Sequence, residues 1–280
     1  IGLLLLTFAI GAASHGSQRW ISIGPFSLQP SELAKIGIIL FLAAYISSKS
    51  REMRQWKKMV IPFLFAIPII VIVGIENLST CIILLAISFI MIFVATPLLV
   101  PFVVIGLIGV AGAGGLLLTL GYRMERITVW LDPAASEKGH QTIQGLYAIG
   151  SGGLFGKGLG QSMQQRGFLP EANNDMSFSV FCEELGLFGA VCVLALFFAL
   201  IWRFMVIAVN APDLYGSMIV VGVIAHIGIQ VFINIAVATN TIPNTGIPLP
   251  FISYGGSSLV FMLLEMGLVL SVSRYINVKK

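Results

Sequence analysis

Eight unbroken apolar runs, at about residues 1–13, 33–46, 60–75, 81–95, 98–120, 178–201, 217–238 and 257–272, constrain this chain more than any other feature. A helix needs about 20 mostly apolar residues to cross the hydrocarbon core of a bilayer, and runs of this density have no room to alternate with polar positions. The chain of 280 residues is 57% hydrophobic and 10% charged, against roughly 25% charged in an ordinary globular protein. An ordinary soluble enzyme is thereby excluded. An outer-membrane barrel would show segments of about ten residues alternating apolar and polar, and these runs do not. The expected fold is all-α, a polytopic helical membrane protein with about eight transmembrane helices in one membrane domain.

The formal charge of +4 is small for this length, and the basic residues sit where they report topology rather than a nucleic-acid partner. Short cytoplasmic loops carry the excess of Lys and Arg. Placing 49–58 and the C-terminal tail inside puts Lys49, Arg51, Arg54, Lys57, Lys58, Arg203, Arg274, Lys279 and Lys280 there, against Glu52 and Asp213. The same alternation puts 14–30, the long amphiphilic stretch 121–177 and 239–256 outside. Cys81, Cys182 and Cys192 lie in apolar stretches without partners at metal-ligand spacing, and all three read as small core residues. The chain opens inside an apolar run with no initiator Met and no basic leader, so it reads as lacking residues at its N-terminus rather than as carrying a signal peptide.

Common soluble-enzyme motifs are missing. The glycine-rich stretch Gly150–Gly160 contains Gly156-Lys157, but a phosphate loop wants Gly where Ser151 stands and Ser or Thr where Gly158 stands. His15, His140 and His226 are scattered and read as structural. Polar groups beside or inside the bilayer are more informative, because charge there is costly and usually functional. Gln29-Pro30-Ser31-Glu32-Leu33-Ala34-Lys35 starts a span, with Glu32 and Lys35 on one helix face; a plain ion pair is the simpler account. Leu169-Pro170-Glu171-Ala172-Asn173-Asn174-Asp175 leads into a span that also bears Glu183 and Glu184. A helix starting near Pro170 would set Glu171 and Asp175 on one face, where a partly desolvated carboxylate serves as a general base; helix-start acids favoured by the macrodipole are the alternative. Glu183 and Glu184 cannot both face lipid, so at least one of them meets a basic partner, for which Lys35 is a candidate. The stretch 242–258, with Pro243, Pro248, Pro250, Gly246, Gly255 and Gly256, cannot be regular helix. Irregular backbone at membrane level survives only when buried in protein or lining a wet cavity, so this stretch reads as a site wall, or more simply as a structural plug.

These motifs are recognisable. GSQRWISIGPFSLQPSELAK (16–35), YRMERITVWLDP (122–133), AIGSGGLFGKGLGQS (148–162), FLPEANND (168–175) with EELG (183–186), and TGIPLPFISYGGSS (245–258) closely resemble the SEDS family of shape, elongation, division and sporulation proteins, which comprises FtsW, RodA and SpoVE. The match runs in order over the whole chain and looks closer to the FtsW/SpoVE branch. Family members have ten transmembrane helices, so the eight runs correspond to helices three to ten.

The resemblance implies a peptidoglycan glycosyltransferase in the bacterial plasma membrane, facing outward and septal in dividing cells, that polymerises lipid II beside a class B penicillin-binding protein and other divisome or sporulation proteins. The family's catalytic aspartate maps onto Asp175 and its functional Glu/Lys pair onto Glu32 and Lys35. Arg19, Trp20, Gln29, Ser31, Lys157, Arg166, Glu171, Pro248, Pro250, Ser253, Gly255 and Gly256 are the expected substrate-binding positions. Charge for the leaving diphosphate would come from Lys35 first, then Arg19, Lys157 or Arg166, or from a divalent cation; no other cofactor is implied. The family's PEAHTDFIF reads here with Asn173, Asn174, Met176 and Ser177, its QPDLGT as Glu76-Asn77-Leu78-Ser79-Thr80, and its GYQ as Gly139-His140-Gln141. A lipid II flippase and a non-catalytic scaffold for a penicillin-binding protein are the rival functions.

Overall fold

In the computed structural model, the described residues are 2, 4, 12–14, 17–23, 26–96, 121–136 and 139–276. The run at 98–120 and most of that at 1–13 lie outside them. Eight long helices are described: α1 (Pro30–Ser48), α2 (Trp56–Glu76), α3 (Leu78–Ala95), α4 (Gly121–Leu131), α5 (His140–Ser151), α6 (Ser177–Asn210), α7 (Leu214–Ala238) and α8 (Gly256–Arg274). Of these, α1, α2, α3, α6, α7 and α8 are long and apolar enough to cross a membrane, and they coincide with six of the eight apolar runs. The chain divides into two compact units, one of Ile1–Phe102, Ile201–Ile229 and Gly255–Lys280, the other of Val103–Leu200 and Gln230–Tyr254.

In the first unit α3 packs against both α1 and α2, and α8 against α1. The core is made where apolar residues recur at helical spacing: Ile36, Ile39, Ala43 and Ile46 of α1, with Ile83, Leu84, Ile87 and Met91 of α3, are all buried. Gly222 of α7 is a close-approach point, because a Cβ there would fall 2.6 Å from the Ile39 side chain. Pro30 stands at the first turn of α1, where its missing N–H costs nothing. Asn77 caps α3, its Oδ1 accepting from the N–H groups of Ser79 (3.1 Å) and Thr80 (3.2 Å), so Asn replaces the family's Asp here without loss of the cap. His226 Nδ1 of α7 lies 2.8 Å from Glu265 Oε2 of α8, both buried, so Glu265 is the partner of His226.

A small antiparallel sheet was not expected. β1 (Ala12–Ser14), β2 (Ser17–Ile23) and β3 (Phe26–Leu28) pair in that order, with Ser14 opposite Ser17 and Ile23 opposite Phe26, where the polar composition of 14–30 suggested a loop. The signal was present as β-branched and aromatic residues at Trp20, Ile21 and Ile23 beside the turn dipeptide Gly24-Pro25 in the sequence. Cys182 is buried, but Cys192 is exposed on α6. That corrects the reading of all three cysteines as core: a helix apolar all round gives no sequence cue to which face meets protein.

In the second unit α4 is tied to the loop after α7. Trp130 Nε1 donates to the carbonyl of Asn240 at 3.0 Å, Asn240 Nδ2 returns a bond to the carbonyl of Trp130 at 3.3 Å, and Arg126 donates to the carbonyl of Asn244 at 3.0 Å. Gly145 of α5 faces Ser179 and Met176 at the start of α6, within 3.3 to 3.4 Å of where a Cβ would stand.

Candidate active site

Asp175 sits at the end of a run of turns, and its carboxylate is only 7% exposed. α6 begins at Ser177 and not near Pro170. Glu171 adopts a left-handed backbone conformation, φ 54°, and its carbonyl accepts from the N–H groups of Asn174 (3.0 Å) and Met176 (3.3 Å). The expected shared helix face of Glu171 and Asp175 is therefore absent: Glu171 is exposed while Asp175 turns inward. Asn174 donates its side-chain amide to Glu171, which helps hold that turn.

Three elements converge on Asp175. Gln141 near the start of α5 donates its amide to Oδ1 at 3.2 Å and Oδ2 at 3.4 Å, and Asn244 in the proline-rich loop donates to Gln141 Oε1 at 3.0 Å. Asn234, fully buried in α7, donates one amide group to the carbonyls of both Asp175 and Ile247 at 2.8 Å. Burial is the main force on the Asp175 carboxyl, the charge of Glu171 adds to it, and the hydrogen bonds from its own backbone, Gln141 and Asn244 oppose it; the net effect lifts it from its ordinary 3.8 to about 6. Gly246, with φ 67°, leaves open the space that a side chain would fill, its Cβ position being 3.9 Å from Asp175 Oδ2.

The stretch is irregular over 242–255, as its prolines required, but α8 begins at Gly256, so the expectation of no regular helix as far as 258 fails over its last three residues. Ser253 Oγ accepts from the N–H of Leu249 at 2.7 Å and bonds Ser177 Oγ at 2.5 Å. The Pro248 carbonyl accepts from Gln230 Nε2 at 3.0 Å, and the Tyr254 N–H donates to the Asn173 carbonyl at 2.7 Å. Pro250 is buried. Gly255 precedes the first residue of α8, Gly256, and a Cβ on Gly255 would strike Ser258 Oγ.

The glycine-rich stretch has a structural task. α6 is broken at Gly186 (φ 65°, ψ −165°), a conformation that essentially only glycine adopts. The break frees carbonyls on one side and N–H groups on the other. Lys157 N–H and Gly158 N–H donate to the carbonyls of Glu183 (3.0 Å) and Glu184 (2.9 Å), while the N–H groups of Leu187 and Phe188 donate to Gly153 (2.9 Å) and Leu154 (3.0 Å). A Cβ on Gly152 or Gly156 would lie 2.0 or 2.1 Å from a carbonyl oxygen of α6, so both positions require glycine. Glu183, 0% exposed, takes Lys157 Nζ at 2.6 Å, with Ser162 Oγ at 2.5 Å and the Gln164 N–H at 3.2 Å on its other oxygen. Its partner is thus Lys157, not Lys35, because the loop delivers the lysine along with its backbone bonds.

Lys35 instead pairs with Glu32, one turn away on α1, at 2.9 Å. Both are buried, and among the described residues Glu32 Oε2 and Ser31 Oγ have no hydrogen-bond partner. The Gln29 carbonyl accepts from the N–H of Glu32 at 3.0 Å. Arg19 and Trp20 are placed on β2 by their backbone. Arg166 is exposed and donates to the Gly160 carbonyl and Gln161 Oε1 at 3.1 and 3.3 Å. A cavity of about 480 Å³ lies beside this loop, lined by Leu146, Tyr147, Gly150, Ser151, Lys157, Met163, Gln164 and Phe168. Gln141 was named only as part of the GYQ motif, without a role, and Asn234 and Asn244 were not singled out. Asn234 carried a cue as an amide, with Gln230, inside an apolar span.

The FtsW/RodA/SpoVE family model, described as cell cycle protein, matches residues 1–278. The chain belongs to this family. It is 46% identical over 279 residues to stage V sporulation protein E of Bacillus subtilis (strain 168), covering 98% of this chain and 76% of that protein. It is 36% identical over 277 residues to a probable peptidoglycan glycosyltransferase FtsW of Geobacter sp. (strain M18), covering 97% and 76%. Among solved structures, a chain of a peptidoglycan synthase complex, described as coordinating polymerization and crosslinking, superposes with a TM-score of 0.81 at 28% identity, covering 99% of this chain and 79% of that one. The rod shape determining protein RodA of Thermus thermophilus superposes with a TM-score of 0.69 at 29% identity, covering 98% and 75%. The FtsW/RodA/SpoVE resemblance read from the motifs, and the helical membrane fold it implied, are those found.

Proposed function

We propose that this chain is a peptidoglycan glycosyltransferase that polymerises lipid II, and that Asp175 is its general base. The buried carboxylate of Asp175, lifted to about 6 and bridged by Gln141, carries the assignment of the base. Such a group is largely ionised at neutral pH yet basic enough to take a proton in a transition state, a role that typically contributes about 10²- to 10⁴-fold in rate. Asp175 takes the proton from the 4-hydroxyl of the acceptor GlcNAc as that oxygen attacks the anomeric carbon of the donor MurNAc. The C–O bond to the lipid diphosphate breaks on the opposite face, and the configuration inverts. The departing diphosphate needs compensating positive charge. Lys35, Arg19, Lys157 and Arg166 are the candidates; Lys35 and Lys157 are each already paired with a carboxylate, Glu32 and Glu183. Among the described residues no three His, Cys, Asp or Glu side chains gather at a spacing for a metal ion, and no step here is routed through one.

The multi-pass membrane location follows from the six spans and the family. The outward orientation of Asp175 rests on the basic excess of 49–58 and the tail, and a class B penicillin-binding protein is the proposed partner. The test is polymerisation of labelled lipid II by the purified chain with its partner, comparing wild type with Asp175→Asn. Glycan strands from the wild type alone support the reaction and the base together. Strands from both leave the polymerase and remove the base. Strands from neither, with translocation of lipid II in vesicles, would favour the flippase.

A further inference from the structure

We propose that the glycine-rich loop 153–160 is immersed in the surface of the bilayer, with Leu154, Phe155 and Leu159 in contact with lipid acyl chains. The part of α6 between the break and the cytoplasmic Arg203, from Leu187 to Trp202, is about 24 Å long at roughly 1.5 Å per residue. That is about 6 Å short of the ~30 Å hydrocarbon core, so the break at Gly186 falls just below the outer surface of the membrane. The loop is bonded to that level through Leu187 and Phe188.

Its side chains are those of a lipid-facing surface. Leu154 is 64% exposed, Phe155 81% and Leu159 74%, beside Leu187, Phe188 and Val191 of the span, which are also exposed. Between Ala148 and Ser162 the sequence has one charged residue, Lys157, and its ammonium is turned onto Glu183 and Ser151. Part of the loop backbone is satisfied as a lipid surface requires, the N–H groups of Gly156, Lys157 and Gly158 having carbonyl partners. Lipid, rather than another protein, is the favoured occupant because the apolar surface is continuous with that of a membrane span. Ser151 and Lys157 also line the 480 Å³ cavity, whose mouth this placement brings to the bilayer surface. The placement does not depend on the reaction.

The experiment is site-directed spin labelling of the full chain in proteoliposomes. Phe155→Cys and Leu159→Cys are made in a Cys81→Ser, Cys192→Ser background, Cys182 being buried. Phe198→Cys, on the exposed face of α6, serves as a lipid reference and Ser50→Cys as a water reference, and each variant is first shown to elute as a single folded species. The expected result is that oxygen relaxes the labels at 155 and 159 more than a water-soluble nickel chelate does, at a depth of about 5–10 Å below the headgroup boundary. Nickel accessibility equal to that at position 50 would overturn the proposal. So would protection from nickel that arises only when a penicillin-binding protein is added, since the surface would then be a protein interface.

Discussion

The side-chain amide of Gln141 reaches both oxygens of Asp175, at 3.2 and 3.4 Å. One nitrogen donor from α5 therefore spans a carboxylate presented just before α6, and Asn244 fixes the amide's orientation from the proline-rich loop. The three residues are far apart in the chain.

Asp175 should give opposite pH dependences to stability and to activity. Its carboxyl is lifted from 3.8 to about 6, by burial first and Glu171 second, so the folded chain holds the proton more tightly than the unfolded one. Stability therefore falls as pH rises between about 4 and 6, by on the order of 3 kcal/mol. Activity, which needs the ionised base, rises with pH with a midpoint near 6. Asp175→Asn should lose about 10²- to 10⁴-fold in polymerisation while melting no lower than wild type at pH 7. Thermal unfolding in detergent and a lipid II assay read the two effects, and a clearly lower melting temperature would contradict this account of the site.

Gln141→Glu places a second carboxyl against Asp175, and two acids at that distance share a proton. The acid limb of the pH–rate profile should move upward by about one unit or more. A profile measured from pH 5 to 9 checks this, and an unchanged midpoint would mean that Gln141 does not govern the base.

Lys157→Met leaves the fully buried Glu183 without its cation. Removing one partner of a buried pair typically costs about 3–5 kcal/mol, and the low end is expected because the Lys157 side chain is 32% exposed. Lys157→Met with Glu183→Gln should recover much of the lost thermal stability. If the single variant melts like wild type, the pair does not hold the loop to α6.

Glu265→Ala strands Nδ1 of His226, a residue whose Nε2 has no partner among the described residues. Stability should fall by about 3 kcal/mol, the cost of leaving a buried polar group unpaired, whereas Glu265→Gln keeps an acceptor and should lose about 1 kcal/mol. Detergent melting curves of the two variants separate these outcomes.

Much of this was legible beforehand where the cue was local. Pro30 at the start of α1 and the irregular 242–254 loop follow from backbone chemistry alone, and the Glu32–Lys35 pair follows from helical spacing. At least one of Glu183 and Glu184 needed a partner, as their apolar setting implied, but helical and loop spacing could identify neither Glu183 as that one nor Lys157, which arrives through bonds across the Gly186 break. The Pro170 helix failed for a related reason. The turn at Glu171 is held by its own backbone bonds and by Asn174, a competition that pattern counting does not register.

Determined by sequence alone were the membrane class, the spans at the described runs and, from motifs in order along the chain, the family. The first two depend on composition within a window of about 20 residues, because the hydrocarbon core imposes its demand on every segment separately. Decided only by tertiary structure were the Gln141–Asn244 support of Asp175, the Asn234 tie between two loops and the docking of 153–158 on the broken α6. These are hydrogen bonds between groups distant in sequence, whose energy is gained only when packing brings them within about 3 Å and excludes water from around them.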